Sequence, residues 1–472
     1  MIRKTKIIAT IGPSTQGKKK LTQLIQQGVN VCRLNFAHVS HEKAREIISN
    51  IKEINQELHT HTAILADLQG PKIRIGEIPK TITLKKGDEL VFSTKKRKNT
   101  IQINYSNFAK DVSQDEKILI DDGKITLVVI NTNKKDRVKT KVLFGGKLKS
   151  NKGVNLPNTK ISLPSLTKKD KEDLRFILSQ NIEWIGLSFV RSAKDVSFLK
   201  KIIKQNKGHH RVIAKIEKPE AIRNINSIVR ETDAVMVARG DLGVEVPPQK
   251  VPVYQKMIVE KCINNSKPVV IATQMLESMT ESPSATRAEV NDVANSVIDG
   301  ADAVMLSGET SLGKYPLKAV ETMRKIIKDI EKSEHSISKN REAAGTITNN
   351  KRHISNAICS NACQIAQQTN AKAIITITYS GYNTIKTSSY RPTAFIYAFT
   401  NNHTILNTLS LVWGVQGFYY DRGTTTDQTI EETKNILKKG RFIRKGDLVV
   451  NLASMPALEK GMTNMMKLSK VK

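Results

Sequence analysis

The stretch that decides the fold reads VIAKIE at residues 212–217 and, after a helical interval, AVMVARGDLGVE at residues 234–245. Each half is a short apolar run that ends in charged residues. Buried parallel strands have this pattern where they bring polar groups to the edge of a sheet. The two segments therefore predict neighbouring parallel strands whose carboxyl ends carry the chemistry.

The charged residues at these ends point to an anionic substrate. Lys215 and Glu217 are two positions apart, so they project the same way from a strand. Asp241 follows Gly240, which predicts an exposed glycine turn in which backbone N–H groups can approach an anion. Together they indicate a divalent metal holding a phosphorylated or carboxylated substrate. Surface ion pairs explain the two segments alone equally well.

Further short apolar runs, each ending in a polar residue, extend this pattern along the chain. They alternate with amphipathic stretches and predict a (β/α)8 barrel of the TIM type, with its catalytic face at the carboxyl ends of the strands. The predicted strands are 7–10, 29–33, 63–67, 184–188, 212–215, 234–239, 269–273 and 303–307. The predicted helices are 19–27, 41–58, 168–180, 193–206, 218–231, 251–265, 284–299 and 316–331. The polar residues expected at the catalytic face are Thr10, Arg33, Asn35, Asp67, Ser188, Lys215, Glu217, Asp241, Thr273, Ser307 and Glu309.

Changes in pattern predict two further domains. Residues 71–165 alternate apolar and polar residues between turn signals, which predicts a small antiparallel β domain placed to act as a lid. A polar stretch near residues 332–352 precedes another strand and helix series. The predicted division is a catalytic barrel (1–70 and 166–337), an inserted β lid (71–165) and a C-terminal α/β domain (338–472).

Composition limits the class of protein. The 472 residues contain no apolar stretch long enough for a signal sequence or a membrane span, which predicts a cytoplasmic protein without membrane partners. The four cysteines, Cys32, Cys262, Cys359 and Cys363, lack zinc spacing and are expected in the core.

The net charge of +32 suggests nucleic-acid binding, but its distribution argues against a specific site. Lysines are spread along the whole chain, and aromatic residues are only 5%. A single-strand platform needs aromatic side chains between the basic groups. We therefore expect only salt-sensitive, non-specific adhesion to RNA.

One loop of the C-terminal domain has two interpretations. Residues 379–384, YSGYNT, link a predicted strand to a helix. The helix N-terminus can receive a phosphate, but an ordinary turn is the better interpretation of this segment alone.

Eight motifs in the chain resemble those of the pyruvate kinase family and occur in the order of that family. The resemblance covers essentially the whole chain, and it implies transfer of the phosphoryl group of phosphoenolpyruvate to ADP by a homotetramer. The motifs are TIGPS (10–14), CRLNFAH (32–38), DLQGPKIR (67–74), KGVNLP (152–157), AKIE (214–217), VARGDLGVE (237–245), ATQMLESM (272–279) and MLSGET (305–310).

The resemblance also implies a role for each site residue. Glu217 and Asp241 match the ligands of Mg²⁺ or Mn²⁺, and Lys215 matches the group beside the transferring phosphoryl group. The other implied substrate and catalytic residues are Arg33, Ser188, Gly240, Thr273, Ser307 and Glu309, the last three being candidates around the water that protonates the enolate. The implied nucleotide side comprises Arg33, Asn35, His38, Arg74 and, from the lid, Lys152.

A departure from the commonest family pattern concerns potassium. Many members bind K⁺ through Asn, Ser, Asp and Thr side chains. Here Asn35 and Asp67 remain, but Ala37 and Leu68 occupy the Ser and Thr positions. Lys72 stands where those members carry glutamate. The DLQGPK form thus resembles the potassium-independent branch, in which the Lys72 ammonium supplies the charge.

Two alternatives stay open at this point. A barrel lyase of the phosphoenolpyruvate and pyruvate group also stabilises an enolate with metal-bound carboxylates, but it does not need Lys152 or Arg74. A non-catalytic basic binding protein that keeps the barrel as a scaffold is expected to lack Lys215, Glu217 or Asp241, and all three are present.

Overall fold

The computed structural model describes residues 3–333, 352–421, 425–455 and 462–472. The predicted boundary between residues 337 and 338 lies outside these ranges, and the exact domain limits stay predictions. Within the described ranges, no helix is both long and apolar enough to cross a membrane.

The first part of the chain forms two strand–helix units and a third strand. Its strands are almost entirely buried apolar residues, because both faces of a parallel barrel sheet are covered. The helix after the second strand begins at Ser40, whose side chain accepts a hydrogen bond from the Lys43 N–H. The elements are β1 (Lys6–Ile11), α1 (Lys18–Gln26), β2 (Val31–Asn35), α2 (His41–Glu57) and β3 (Ala63–Asp67).

The next part forms a separate, mainly antiparallel β structure with a hydrophobic core of its own, which includes Phe92, Phe108 and Val138. Its strands alternate buried and exposed residues, as half-buried strands do. The elements are β4 (Ile82–Leu84), β5 (Glu89–Ser93), β6 (Ile101–Gln102), α3 (Phe108–Asp111), β7 (Lys117–Ile120), β8 (Ile125–Thr132), β9 (Arg137–Phe144), β10 (Gly146–Leu148) and β11 (Val154–Asn155).

The chain then completes the barrel. Thr167 and Thr286 each begin a helix with a reciprocal capping box, which fixes where these helices start. The elements are α4 (Lys168–Leu178), β12 (Trp184–Leu187), α5 (Ala193–Gln205), β13 (Arg211–Ile216), α6 (Pro219–Arg223), α7 (Ile225–Glu231), β14 (Ala234–Ala238), α8 (Arg239–Glu245), α9 (Val251–Asn264), β15 (Val269–Ala272), α10 (Arg287–Asp299), β16 (Ala303–Leu306), α11 (Gly308–Ser311) and α12 (Pro316–Lys332). Two 3₁₀ turns, Pro248–Lys250 and Glu277–Thr280, precede α9 and α10.

Eight parallel strands close into a barrel in the order β1-β16-β15-β14-β13-β12-β3-β2, which confirms the predicted fold class. The closure across the insertion pairs Leu65 of β3 with Trp184 of β12. Leu65, Trp184, Met236 and Met305 fill the inside of the barrel, and a larger core lies between the strands and the helices. The carboxyl ends of all eight strands therefore meet on one face.

Two local predictions in the barrel are wrong. The helix predicted over residues 218–231 is divided into α6 and α7 at Asn224, which leaves the helical region with φ −98° and ψ 11°. The turn expected at Gly240 is the first turn of α8. Asp241 is thus presented by a short helix rather than by a glycine loop.

The C-terminal part is a five-stranded sheet of order β19-β18-β17-β20-β21 with helices packed on it. Its last strand is antiparallel and was not predicted, because its sequence, MMKLSK, is half exposed and carries no continuous apolar run. The elements are α13 (His353–Gln368), β17 (Ala373–Ile377), α14 (Tyr382–Ser389), β18 (Phe395–Thr400), α15 (His403–Leu409), β19 (Val415–Tyr419), α16 (Thr426–Lys439), β20 (Leu448–Ala453) and β21 (Met465–Lys470).

A buried ion pair joins this part to the bottom of the barrel. Asp302, immediately before β16, accepts hydrogen bonds from the Arg391 guanidinium at 2.7 and 3.2 Å. The same carboxylate accepts from the N–H groups of Val269 and Trp413, each at 3.0 Å. The junction lies at the end of the barrel opposite the catalytic face.

The four cysteines are buried and form no disulfide. Burial raises the pKa of the Cys32 thiol to about 12 and that of Cys359 to about 11. They are inert core residues, as predicted.

Candidate active site

The centre of the barrel mouth is the buried Asp67 carboxylate at the end of β3. Arg33 of β2 contacts it through Nε at 2.7 Å and Nη2 at 2.6 Å, and Lys215 Nζ lies 3.1 Å from the other oxygen. Burial alone would raise the pKa of Asp67, but the charges of Lys215 and Arg33 hold it below its usual value. Asp67 therefore fixes two cations side by side.

Lys215 projects from β13 into this group. Its Nζ donates to Ser188 Oγ at 2.7 Å and lies 3.0 Å from Glu217 Oε1. Burial would lower the pKa of Lys215, but the carboxylates of Asp67 and Glu217 outweigh it and raise the pKa above its usual value. The side chain is only 11% exposed, so a charged ammonium is held at the floor of the mouth.

Glu217 and Asp241 lie where the neighbouring strands β13 and β14 end, Glu217 directly after β13 and Asp241 in α8, which follows β14. Glu217 Oε2 accepts the Phe189 N–H at 2.8 Å. Burial raises the pKa of Glu217, Lys215 opposes this effect, and the negative charge of Asp241 adds to it. Asp241 Oδ1 lies 3.7 Å from Lys72 Nζ. The two carboxylates are thus close enough to repel each other, as two ligands of one cation are before it binds.

Thr273 and Gly240 form the next part of the rim. Thr273 follows β15 with a φ of +67°, and its Oγ1 accepts the Gly240 N–H at 2.7 Å. Arg239 holds this corner, because its guanidinium donates to the Thr273 carbonyl at 2.8 Å and to Asp292 at 2.6 Å. A positive φ in a β-branched residue is strained and marks a position that the surrounding structure imposes.

Ser307 and Glu309 follow β16. Glu309 is buried and accepts the N–H groups of Ser307 at 2.6 Å and Leu276 at 3.1 Å. Burial raises the pKa of Glu309, and these backbone donors act in the opposite direction. Its contacts hold the loops after β15 and β16 together.

The residues expected on the nucleotide side are less closely gathered. His38 is exposed after β2, and Asn35 accepts the Ala37 N–H at 3.1 Å. Arg74 donates to the Asn151 carbonyl at 3.0 Å. These groups surround the mouth but do not converge on one point in this structure.

Lys152 also lies away from the barrel residues. Its Nζ forms an ion pair with Asp121 of the β insertion at 2.8 Å. A cleft of about 640 Å³ lies between the insertion and the barrel, with Lys72 and Asp122 from the insertion and Gly240 and Asp241 from the barrel in its lining. This cleft has room for a small anionic ligand.

The donor set fits a divalent cation bound jointly with a ligand. Among the described residues, no group of three or more His, Cys, Asp or Glu side chains forms a complete metal site. Mg²⁺ is commonly bound by one or two carboxylates together with substrate phosphates and water. Glu217 and Asp241 supply such a pair, and oxygen donors suit Mg²⁺ or Mn²⁺.

Comparison with models of known protein families shows which family the chain belongs to. Residues 2–320 match the pyruvate kinase barrel domain, and residues 356–469 match the pyruvate kinase alpha/beta domain. The chain belongs to the pyruvate kinase family.

Similar proteins agree with this assignment. The chain is 42% identical to a pyruvate kinase of Geobacillus stearothermophilus over 477 residues, which is 99% of this chain and 80% of that protein. It is also 42% identical to pyruvate kinase 2 of Synechocystis sp., over 100% of this chain and 80% of that protein. A crystal structure of a pyruvate kinase from Cryptosporidium parvum is 36% identical, with a TM-score of 0.91 over 100% of this chain and 96% of that one.

Within this pyruvate kinase fold, the position of Asp67 was understood only in part from the sequence. It was expected at a monovalent-cation site with Asn35, whereas its contacts are with Arg33 and Lys215. Thr10 supports the same group, because its Oγ1 accepts Arg33 Nη1 at 3.0 Å. The sequence offered one indication of these contacts, because Thr10, Arg33 and Asp67 are the last residues of three predicted strands that are consecutive in the barrel.

Two polar side chains of the loop at residues 379–384 form hydrogen bonds with the preceding strand, β17. Thr384 Oγ1 hydrogen-bonds Thr376 Oγ1 at 2.8 Å, and Asn383 Nδ2 donates to the Ile377 carbonyl at 3.0 Å. These contacts favour an ordinary turn over a phosphate-binding site.

Proposed function

We propose that the chain catalyses phosphoryl transfer from phosphoenolpyruvate to ADP, giving pyruvate and ATP, with a divalent metal and without a requirement for K⁺. The observation that carries the proposal is the buried Lys215 ammonium between Asp67 and Glu217 at the barrel mouth, with Asp241 beside it. Membership of the pyruvate kinase family gives the reaction. Transfer between two anions needs alignment and compensation of charge, which this cluster supplies.

Glu217 and Asp241 are the proposed metal ligands. Mg²⁺ or Mn²⁺, when bound there, would neutralise charge on the phosphoryl and carboxylate oxygens of the substrate. Glu217 directly follows β13 and Asp241 lies in the first turn of α8, so the two side chains approach that position from different elements. Their mutual repulsion makes a divalent cation favourable at this point.

Lys215 and Arg33 are the proposed phosphoryl-binding cations. The Lys215 ammonium would contact the transferring group and then stabilise the enolate that remains. The planar fork of Arg33, oriented by Asp67 and Thr10, would hold phosphoryl oxygens in a way that a lysine cannot reproduce. Ser188 keeps Lys215 in position through its 2.7 Å hydrogen bond.

Gly240, Asp241 and Thr273 are proposed to hold the substrate carboxylate. The Gly240 N–H, which now donates to Thr273 Oγ1, would turn to the carboxylate with that hydroxyl beside it. Thr273, Ser307 and Glu309 are the candidate groups around the water that protonates the enolate carbon. The raised pKa of Glu309 suits a group that takes part in proton transfer.

We further propose that residues 71–165 act as a lid over the nucleotide. Arg74, His38 and Asn35 would line the nucleotide side with Arg33, and Lys152 would leave Asp121 to contact the phosphates. Lid closure excludes water from the reacting groups. A homotetramer in the cytoplasm is the proposed state of the enzyme, and light scattering during size-exclusion chromatography measures its mass.

Potassium independence rests on residues around Lys72. Leu68 is buried and, like Ala37, has no side-chain oxygen, so neither position supplies a side-chain ligand for K⁺. Lys72 lies 3.7 Å from Asp241, where its ammonium contributes positive charge beside the proposed metal ligand. Because both side chains are about one-third exposed, solvent screens much of this attraction.

The potassium test uses Mg²⁺ with tetramethylammonium as the sole monovalent cation. We expect the full rate without K⁺, and loss of rate in Lys72→Met but not in Lys86→Met, which removes an exposed lid lysine. An increase of more than about tenfold on adding K⁺ to the unmodified enzyme, equivalent to about 1.4 kcal/mol of barrier, contradicts the proposal.

The reaction itself is tested by a coupled assay for pyruvate that supplies or omits ADP. Pyruvate is expected only with phosphoenolpyruvate and ADP together, and Lys215→Met should abolish it. Pyruvate formed without ADP would favour the lyase alternative. Absence of turnover with any nucleotide would favour a binding protein.

A further inference from the structure

A second buried ion pair lies beside the site, among groups that have no part in the proposed chemistry. Glu245 Oε1 accepts from Lys218 Nζ at 2.6 Å and from Asn155 Nδ2 at 2.7 Å. The side chains of Glu245 and Lys218 are only 1% and 9% exposed. One carboxylate oxygen is therefore shared by two donors in a largely dehydrated place.

These three residues come from three elements that matter for the reaction. Glu245 ends α8, one helical turn after Asp241. Lys218 follows Glu217 directly in the chain. Asn155 ends β11 of the insertion, where the chain turns back toward the barrel. The shared oxygen thus connects both proposed metal ligands with the lid.

The chain enters the lid after Gly70, and this second connection to the barrel lies close to the same residues. Gly70 packs so closely on Phe189 that a Cβ atom there would lie 2.8 Å from the ring. The Phe189 N–H holds Glu217, and the Lys218 ammonium lies 5.7 Å from the centre of the Phe189 ring. One chain crossing between the lid and the barrel therefore packs on Phe189, whose N–H holds Glu217. The other reaches Lys218, the residue after Glu217, through Asn155 and Glu245.

We propose that Glu245 is a positioning residue that couples the position of the lid to the geometry of Glu217 and Asp241. This inference rests on the proposed function. Among the described residues, Glu245 Oε2 has no hydrogen-bond partner, so Lys218 and Asn155 provide the compensation for burying the charge. A shift of β11 that withdraws Asn155 leaves this carboxylate poorly compensated, which favours movement of α8 with the lid.

The test measures Mn²⁺ binding by electron paramagnetic resonance without nucleotide, together with the KM for ADP. Loss of Mn²⁺ binding in Asp241→Asn assigns the bound Mn²⁺ to this site. Asn155→Asp places a second carboxylate against Glu245 and contacts neither proposed metal ligand. We expect at least tenfold weaker Mn²⁺ binding and at least a tenfold higher KM for ADP. Asn155→Leu, which only removes the donor, should give smaller changes in the same direction.

Exchanging the carboxylate of Glu245 and the amide of Asn155 should restore Mn²⁺ binding and the KM for ADP. The double variant Asn155→Asp/Glu245→Gln restores a carboxylate–amide contact and leaves Lys218 a carboxylate partner, so both values should return to within threefold of the original. Asn133→Asp is the matched control, because Asn133 Nδ2 donates to Asp136 at 2.9 Å within the lid alone. It should change neither value.

The coupling is refuted if Asn155→Asp and Asn155→Leu bind Mn²⁺ as the unmodified protein does, or if the double variant is no better than the single one. Circular dichroism of each variant identifies a folding defect. If Asn155→Asp does not fold, Asn155→Leu decides the question alone. Failure of the proposed function is distinct, because it would appear as absence of pyruvate formation by the unmodified chain.

Discussion

Replacing Asp302 with asparagine tests how the C-terminal domain is held on the barrel. One carboxylate oxygen accepts from Arg391 and Val269, and the other accepts from Arg391 and Trp413. An amide nitrogen at either position would face two donors. At 2.7 Å the gross attraction is about 6 kcal/mol for an effective dielectric constant near 20. Because the ion pair is at most 3% exposed, we expect a loss of about 3–5 kcal/mol in unfolding free energy.

Urea unfolding followed by circular dichroism and tryptophan fluorescence measures this loss. The chain has two tryptophans, Trp184 inside the barrel and Trp413 at the junction, so fluorescence reports both parts. Glu53→Gln is the control, since it breaks an ion pair with Lys18 whose side chains are 42% and 50% exposed. Exposed pairs of this kind contribute little to stability, because solvent screens their attraction. A loss in Asp302→Asn as small as in this control would refute the reasoning.

Two further predictions concern pH and Arg33, the proposed phosphoryl-binding arginine. Burial raises the pKa of Glu183 from 4.5 to about 7. The folded state therefore holds a proton that the unfolded state releases, and the free energy of unfolding should fall by about 3 kcal/mol as the pH rises from 4.5 through 7. Urea titrations from pH 4.5 to 7.5 should show this slope, and an unchanged slope in Glu183→Gln would count against it. Arg33→Lys should lower kcat at least about a hundredfold, because one ammonium cannot replace the fork that contacts both Asp67 and Thr10. Steady-state kinetics within threefold of the original enzyme would contradict this.

Much of the barrel was predictable because its strands obey one simple rule. A strand covered on both faces must be a continuous apolar run, and its first polar residue marks the catalytic edge. Lys215, Asp67 and Ser307 were located in this way. The same rule missed β21, whose residues Met465–Lys470 lie at the edge of a sheet and are half exposed.

The contacts between site residues were harder to predict than their presence. The sequence indicated that Asp67 would lie at the mouth, but not that Arg33 and Lys215 would share it. Likewise, Lys152 was expected to face the nucleotide, whereas it pairs with Asp121 in this structure. Long cationic side chains have several carboxylates within reach, and only the three-dimensional arrangement selects one of them.

Insertion of the β domain between β3 and β12 also affects how the barrel forms during folding. Leu65 and Trp184 must pair although they are about 120 residues apart in the chain, which is an entropically costly loop to close. Because the insertion has its own hydrophobic core, it can collapse first and bring the two ends of the loop together. Each halving of the effective loop saves about 0.6 kcal/mol of closure entropy. A mutation that weakens the core around Phe92 and Phe108 should therefore slow closure of the barrel, even though those residues lie outside it.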